Sequence, residues 1–335
     1  MCVVDLHNHI VAEEVVALLA REGARLDTRI EETCDGRFAH IGRGAVRPLH
    51  ARMCDPAARL PDMDRLGIDV QAVSCTPFVL YADAPADVAH AVAQANNDAL
   101  AAIARRWPTR FAPLASVPLQ DPERAARELE RARGLGLRGV EIPARAGSLE
   151  LDDPRLEPFW SAASALGMPV CIHPFEASPQ GALARYALSP LVGNLIDTGM
   201  AATLLVMGGV LERHASLRVV LYHGGGTFLA LLARLSKGHE LIAEARVAAP
   251  KPPSAYLHHF WVDTVTFDAG WLRYLIQRLG ASRVVLGSDY PLPLGPPDPA
   301  AEVRALGLDA ASEAAILGGN ACDLLSIRSE AEEAA

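Results

Sequence analysis

The sequence predicts an α/β fold, a (β/α)8 TIM-like barrel that forms a single domain over residues 1–335. Three observations lead to this prediction. Eight short apolar segments are spaced along the chain, helical patterns separate most of them, and several of the segments end in a histidine or an aspartate. The chain exceeds the roughly 250 residues typical of such a barrel, which leaves room for an insertion and a tail.

The eight segments are rich in valine, leucine and isoleucine, as buried parallel strands are. The predicted strands lie near residues 2–7, 69–75, 111–117, 138–142, 169–173, 218–223, 259–264 and 283–288. Helical patterns fill most of the gaps, at residues 86–106, 121–134, 156–166 and 269–279. Glycines that can end a helix stand at or just after the last residue of several of these patterns. The alternation predicts a parallel barrel with helices outside it.

Two regions depart from the simple alternation. Residues 11–60 contain glycines and prolines between short polar and apolar pieces, which predicts a small inserted lobe after strand 1. A loop that leaves the active-site end of a barrel usually covers the substrate. The second region, residues 178–203, is a long excursion after His173 that ends in a helical pattern at 194–211. After Pro291, a proline-rich stretch leads to a C-terminal helical extension, and residues 329–335 form an acidic tail.

Composition narrows the classes of function. Half of the residues are hydrophobic, but no uninterrupted apolar stretch reaches the roughly 20 residues of a membrane span, so we expect a soluble protein with no membrane partner. The N-terminus lacks the pattern of a secretory signal, and we expect a cytoplasmic protein. A net charge of −9 without a basic patch argues against nucleic acid as a partner. Six cysteines without close pairing predict free thiols: Cys2, Cys34, Cys54, Cys75, Cys171 and Cys322.

The first predicted strand ends in a His-x-His motif. His7 and His9 are two residues apart and project from the same face of a strand, although a solvated strand end has the same pattern. Three later apolar segments end in His173, His223 and Asp289. Because the carboxyl ends of parallel barrel strands meet at one mouth, we expect all five side chains to converge there.

Three imidazoles and one carboxylate are enough to hold a divalent ion and leave room for water or substrate. We predict that His7, His9, His173 and Asp289 bind one Zn²⁺ per subunit, with another divalent metal as the alternative. His223 is left over, and a histidine beside a metal-bound water can move its proton. His223 and Asp289 are the predicted catalytic residues.

A second metal is not expected. Metal pairs in such barrels often share a carboxylated lysine, but Lys237 and Lys251 are the only lysines and neither lies on the fourth predicted strand. Glu141 does lie on that strand and is a possible bridging ligand. We favour a role for it as a salt-bridge or hydrogen-bond partner inside the barrel.

Taken together, these motifs resemble the amidohydrolase superfamily, in particular its metal-dependent nonoxidative decarboxylases. The resemblance runs nearly end to end. It implies that zinc binds the four predicted ligands, that His223 takes or relays a proton, and that no organic cofactor is needed. The motifs that carry it are Asp5-x-His7-x-His9, Cys54-Asp55-Pro56, Asn96-Asn97-Asp98, His173-Pro174, His223-Gly224-Gly225-Gly226, Gly287-Ser288-Asp289-Tyr290-Pro291 and Leu317-Gly318-Gly319-Asn320-Ala321.

The resemblance also implies that two arginines hold substrate carboxylates. Arg234 matches the one that a neighbouring subunit offers, which predicts a homodimer, although a surface helix charge is the alternative. The other belongs to the inserted lobe, where His50 takes its position and Arg47 and Arg52 stand on either side. Phe175 replaces a tryptophan that is frequent in the family, so we expect a changed pocket wall.

Three functions follow from these residues. The leading hypothesis is a zinc-dependent decarboxylase (carboxy-lyase) of a small unsaturated or aromatic carboxylic acid. The second is a hydrolase or hydratase that uses the same metal site on a lactone, amide or conjugated acid. The third is a non-catalytic metal-binding protein, against which His223 beside an open metal position argues.

Overall fold

The computed structural model describes residues 2–42, 45–175 and 180–327, and it contains all eight predicted barrel strands. In the described part of the chain they form six pairs of neighbouring strands, and all six pairs are parallel. With the three lobe strands counted in chain order, the barrel strands are β1 (Val4–Ile10), β5 (Val70–Cys75), β6 (Leu114–Ser116), β7 (Gly139–Pro143), β8 (Val170–His173), β9 (Val219–Leu221), β10 (Phe260–Asp263) and β11 (Val284–Val285).

Backbone hydrogen bonds close the strands into a ring. Strands β6 to β11 form one sheet, and β1 pairs with β5. The Leu6 N–H donates to Leu286 O at 2.8 Å, which joins β1 to the residue after β11. The Ala112 N–H donates to Gln71 O at 2.9 Å, which joins β5 to the segment before β6. The predicted (β/α)8 barrel is therefore confirmed.

Helices surround the strands. The helices predicted at 86–106 and 269–279 have those bounds, whereas the one predicted at 194–211 is divided near Gly209, which adopts a left-handed φ of +72°. The helices are α1 (Glu13–Glu22), α2 (Ala51–Cys54), α3 (Leu60–Leu66), α4 (Ala86–Arg106), α5 (Pro122–Gly134), α6 (Glu157–Leu166), α7 (Asn194–Met207), α8 (Val210–Arg213), α9 (Phe228–Leu241), α10 (Ala269–Leu279), α11 (Pro299–Arg304), α12 (Ala310–Ala314) and α13 (Asn320–Leu325).

The lobe predicted at residues 11–60 contains α1, α2 and a three-stranded antiparallel sheet. Its strands are β2 (Thr28–Thr33), β3 (Gly36–Ile41) and β4 (Ala45–Pro48). The apolar core of the lobe also includes residues of α4 and of the segment after β5, and Phe175 and Leu292 pack against that core. Because Phe175 follows β8 and Leu292 follows β11, the lobe lies over the carboxyl end of the barrel.

The barrel interior is filled by side chains such as Val4, Leu6, Val220 and Tyr222, and α13 packs against the same cluster. Among the described residues, one segment, Ser189–Met207, is long and apolar enough to cross a membrane by length and composition. Core helices of globular proteins pass the same test, and 39% of this segment is buried, so it is weak support for a membrane span.

Candidate metal centre

A β-bulge sets the direction of the first two histidines. Asp5 pairs with Gln71 and Asn8 with Val73, so three steps along β1 match two along β5. Leu6 packs in the barrel interior with Tyr222, and the ring of His7 stacks on Tyr222 with centroids 3.8 Å apart. Two successive residues thus face inwards, and His9 follows on the same side with its Nε2 3.2 Å from that of His7.

All five predicted metal-site residues meet at the carboxyl end of the barrel. Asp289 Oδ1 lies 3.2 Å from His7 Nε2 and 3.3 Å from His9 Nε2. The ring of His173 lies 4.9 Å from the rings of both His9 and His223. Ligand atoms of His7, His173, His223 and Asp289 all lie within 4.8 Å of one another. His223 is therefore within coordination reach, next to the four predicted ligands.

Three of the histidines share one tautomer. In each of them Nδ1 lies beside an oxygen that can only accept, so Nδ1 carries a proton, and the Nε2 lone pair is free whenever the ring is neutral. The three contacts are His7 Nδ1 to Asp263 Oδ2 at 2.5 Å, His9 Nδ1 to Cys75 O at 3.0 Å and His173 Nδ1 to Pro174 O at 2.8 Å.

Several buried polar atoms at the centre have no hydrogen-bond partner in the described chain. They include His173 Nε2, His223 Nδ1 and Asp289 Oδ1. Leaving such atoms unpaired is costly, and a divalent cation would satisfy His173 Nε2 and Asp289 Oδ1 at once. The donor set of imidazole nitrogens and a carboxylate suits zinc and similar metals, so the residues present fit a bound divalent ion.

The charges around the centre divide the histidines into two kinds. Burial lowers the pKa of His7, but the nearby carboxylates of Asp289 and Asp263 outweigh it and raise that pKa to about 10. Burial lowers the pKa of His173 and His223, and neighbouring histidines lower it further. These two rings are therefore neutral at pH 7, as a metal ligand or a general base must be.

Asp263 is a site residue that the sequence analysis missed. It ends β10, it is fully buried, and it holds His7 through Nδ1. It also accepts the backbone N–H of His223 at 3.0 Å and that of Gly224 at 2.7 Å. The available signal was an aspartate within the predicted strand at 259–264, like Asp289 after another strand.

Glu141 lies just outside this group. Its Oε2 accepts from Ser74 Oγ at 2.7 Å and lies 3.9 Å from His9 Nδ1. The carboxylate thus faces the proton-bearing side of His9, away from the free Nε2. This position agrees with the interpretation of Glu141 as a hydrogen-bond partner.

Two of the predicted substrate-binding residues lie on the barrel side of the lobe. Arg47 on β4 is opposite Ala39 on β3, and Ala39 is buried in the lobe core. Cross-strand partners share a face of the sheet, so Arg47 points to the side on which Phe175 packs. Arg47 is half-buried, and no acid of the described ranges lies within ion-pair distance of it.

The other three have different surroundings. Arg52 Nε forms an ion pair with Asp62 Oδ2 at 2.7 Å, and His50 Nδ1 accepts the Met53 N–H at the start of α2. Both line a cavity of about 380 Å³ that also borders α3 and the loop after β11. Arg234 is exposed on α9. Glu176, which follows Phe175, lies outside the described residues.

A parallel barrel with histidines and an aspartate at the carboxyl ends of its strands is typical of metal-binding barrel proteins. The chain belongs to the amidohydrolase family, whose model matches residues 4–327. Within that family it stands with the nonoxidative decarboxylases. It is 31% identical over 328 residues to 2-amino-3-carboxymuconate-6-semialdehyde decarboxylase from Dictyostelium discoideum, covering 97% of this chain and 91% of the relative.

Two solved structures have the same fold over nearly the whole chain. One is 5-carboxyvanillate decarboxylase from Sphingomonas paucimobilis, with 29% identity, a TM-score of 0.83 and coverage of 98% of this chain and 100% of that one. The other is dihydroxybenzoic acid decarboxylase from Polaromonas sp. JS666 with bound manganese, with 25% identity, a TM-score of 0.80 and 98% coverage of both chains. The predicted resemblance to the decarboxylase branch is confirmed.

Proposed function

We propose that this protein is a metal-dependent nonoxidative decarboxylase of a small unsaturated or aromatic carboxylic acid. The observation that carries the proposal is the convergence of oriented Nε2 atoms and Asp289 beside a neutral, partly buried His223. The decarboxylase relatives support this reaction over other reactions of the same fold. A loss of carbon dioxide needs no organic cofactor when a metal and a proton donor are present.

His7, His9, His173 and Asp289 are the proposed metal ligands. A bound divalent ion would supply a Lewis acid for the substrate oxygens and would lower the pKa of a bound water. We propose Zn²⁺, and the manganese in the Polaromonas relative makes Mn²⁺ the alternative. Asp263 and the carbonyls of Cys75 and Pro174 orient the imidazoles before any ion arrives.

His223 is the proposed general base and proton donor. Burial holds its pKa below the ordinary value, so the ring is neutral at pH 7 and can accept a proton. Its Nδ1 has no hydrogen-bond partner among the described residues, so this nitrogen is available to substrate or water. Asp263 fixes the backbone of His223 and thereby the direction of the ring.

The proposed substrate is 2-amino-3-carboxymuconate-6-semialdehyde or a close analogue, on the strength of the Dictyostelium relative. A half-buried arginine without an acid partner is suited to a substrate carboxylate, and Arg47 is such an arginine. Arg52 and His50 already have other partners. Arg47 is therefore the preferred lobe residue of the proposed carboxylate clamp.

We also propose a homodimer in which Arg234 reaches the neighbouring site. Leu231 is 42% exposed and lies three residues before Arg234 on the same face of α9. On α7, which packs beside α9, Ile196 and Met200 are 46% and 51% exposed and four residues apart. An exposed apolar strip beside a charged group fits a second copy of the chain.

The dimer is tested by size and activity together. Met200→Asp should give a monomer by gel filtration with light scattering and should lose activity. Arg234→Ala should remain a dimer and lose activity. A wild-type protein that is monomeric and fully active would contradict the shared site.

The reaction is tested by the mass of the product formed from 2-amino-3-carboxymuconate-6-semialdehyde generated in place. Metal-dependent loss of carbon dioxide is the expected result, and the metal-free protein is the control. Gain of water would instead assign a hydratase or hydrolase. His223→Ala should keep the metal and lose turnover, whereas loss of the metal in this variant would make His223 a ligand.

A further inference from the structure

Arg59 is a fully buried arginine on the outer side of the barrel wall. It ends the short turn Pro56–Arg59, just before α3. Its Nη2 donates to Asn8 Oδ1 at 3.1 Å, while Nε and Nη1 have no hydrogen-bond partner in the part of the chain that the structure describes. Burying a guanidinium with so few partners is costly, so its position calls for a role.

The partner of Arg59 spans the β-bulge that turns His7 inwards. Asn8 stands between the two histidines of β1, and its Nδ2 donates to Asp5 O at 3.0 Å and to Ala72 O at 3.4 Å. The bond from Arg59 occupies Asn8 Oδ1 and so fixes which way the amide faces. The amide can hold the bulge only in this orientation.

Arg59 also contacts the segment that carries Asp289. Its guanidinium carbon lies 4.8 Å from the centroid of the Tyr290 ring, in the geometry of a cation–π contact. Tyr290 directly follows Asp289, which has a left-handed φ of +55°, and Tyr290 O accepts the His9 N–H at 2.7 Å. Arg59 therefore contacts both sides of the junction between β1 and the segment after β11, through Asn8 and Tyr290.

We propose that Arg59 is a positioning residue of the metal centre. Through Asn8 it sets the bulge that directs His7 and His9, and through Tyr290 it sets the loop that presents Asp289. It is not one of the proposed metal ligands, and its side-chain contacts are with Asn8 and Tyr290. The inference rests on the metal site proposed above, and it adds a determinant of metal affinity that lies outside the barrel.

The test compares Arg59→Met and Arg59→Lys with Arg110→Met. Arg110 is the matched control because it ties the other end of α3 to the base of β5, through Asp64 Oδ1 at 2.8 Å and Asp69 O at 2.9 Å. It lies away from the ligands. Each purified full-length variant is titrated with Zn²⁺ against a chromophoric chelator, and the visible spectrum of the Co²⁺-loaded protein reports ligand geometry.

Arg59→Met should bind Zn²⁺ about 10- to 100-fold more weakly and should change the Co²⁺ spectrum, as loss of an outer partner of metal ligands does. Arg59→Lys should recover part of the affinity, because an ammonium can donate to Asn8 Oδ1. Arg110→Met should keep the wild-type spectrum and a Zn²⁺ affinity within twofold, even if it unfolds at a lower temperature.

If Arg59→Met fails to fold, Asn8→Ser, which removes the same contact, should show the same spectral change. Wild-type affinity and spectrum in either variant would overturn the proposal. Absence of Zn²⁺ binding by the wild-type protein would instead refute the metal site itself, so the two failures are distinguishable.

Discussion

Replacing Asp263 by asparagine removes one acceptor from the metal centre at almost constant volume. One carboxylate oxygen, Oδ2, accepts from His7 Nδ1 at 2.5 Å and from the His223 N–H at 3.0 Å. The other, Oδ1, accepts the N–H groups of Gly224 and Val265 at 2.7 and 3.2 Å. An asparagine amide has one oxygen, so either orientation turns an NH₂ group towards two donors.

The expected loss of metal affinity follows from this loss of one acceptor oxygen. Changing an outer partner of a ligating histidine typically weakens metal binding 10- to 100-fold, which is about 1.4 to 2.8 kcal/mol. Asp263 also raises the pKa of His7, and a proton on His7 competes with the metal. The proton on His7 weakens metal binding by the wild-type protein more at pH 7 than at pH 9. The variant loses part of this competition, which offsets its weaker binding most at pH 7. The loss of metal affinity relative to wild type should therefore be larger at pH 9 than at pH 7.

The assay is a chelator-competition titration with Zn²⁺ at both pH values. Asp64→Asn is the control, because Asp64 is an exposed carboxylate paired with Arg110. Asp263→Asn should bind at least tenfold more weakly at pH 9, and the control should match wild type. An Asp263→Asn protein that binds within twofold of wild type at pH 9 would refute the assignment of Asp263 as the group that orients His7.

Three further predictions concern stability and substrate. The pKa of His7 is about 10 in the folded protein and 6.5 ordinarily. Protonated His7 therefore stabilises the metal-free fold fully below pH 6.5, and this stabilisation is lost as the pH rises towards 10. The urea midpoint of the metal-free protein should fall over that range. The metal-loaded protein should show less decline, and equal slopes would contradict the argument. Gly318→Ala should lower stability by about 1–3 kcal/mol in urea unfolding, because the added Cβ would lie 1.8 Å from Cys2 O. Gly319→Ala, whose nearest neighbour would be 3.5 Å away, should be nearly neutral, and matching midpoints for the two variants would count against this packing. Arg47→Met should lower kcat/KM for a carboxylate substrate about 10-fold or more with unchanged zinc content, while Arg52→Met should change it less than threefold; the reverse order would exchange their assignments.

Local patterns in the sequence were enough to predict the barrel and the set of residues at its carboxyl end. Strand periodicity and terminal glycines depend on neighbours a few residues away, so the eight strands and the helix at 86–106 were predictable. The convergence of His7, His173 and Asp289 was also predictable, because parallel barrel strands bring their carboxyl ends to one mouth whatever their separation in sequence.

The sequence by itself therefore determined the fold class and the cluster of candidate ligands. Only the tertiary structure decided how those ligands are oriented. Asp263 meets His7 across 256 residues, and Arg59 meets Asn8 across 51. The β1 bulge exists only where β1 pairs with β5. Hydrogen bonds and burial at such distances depend on which groups folding brings together, and no local periodicity records them.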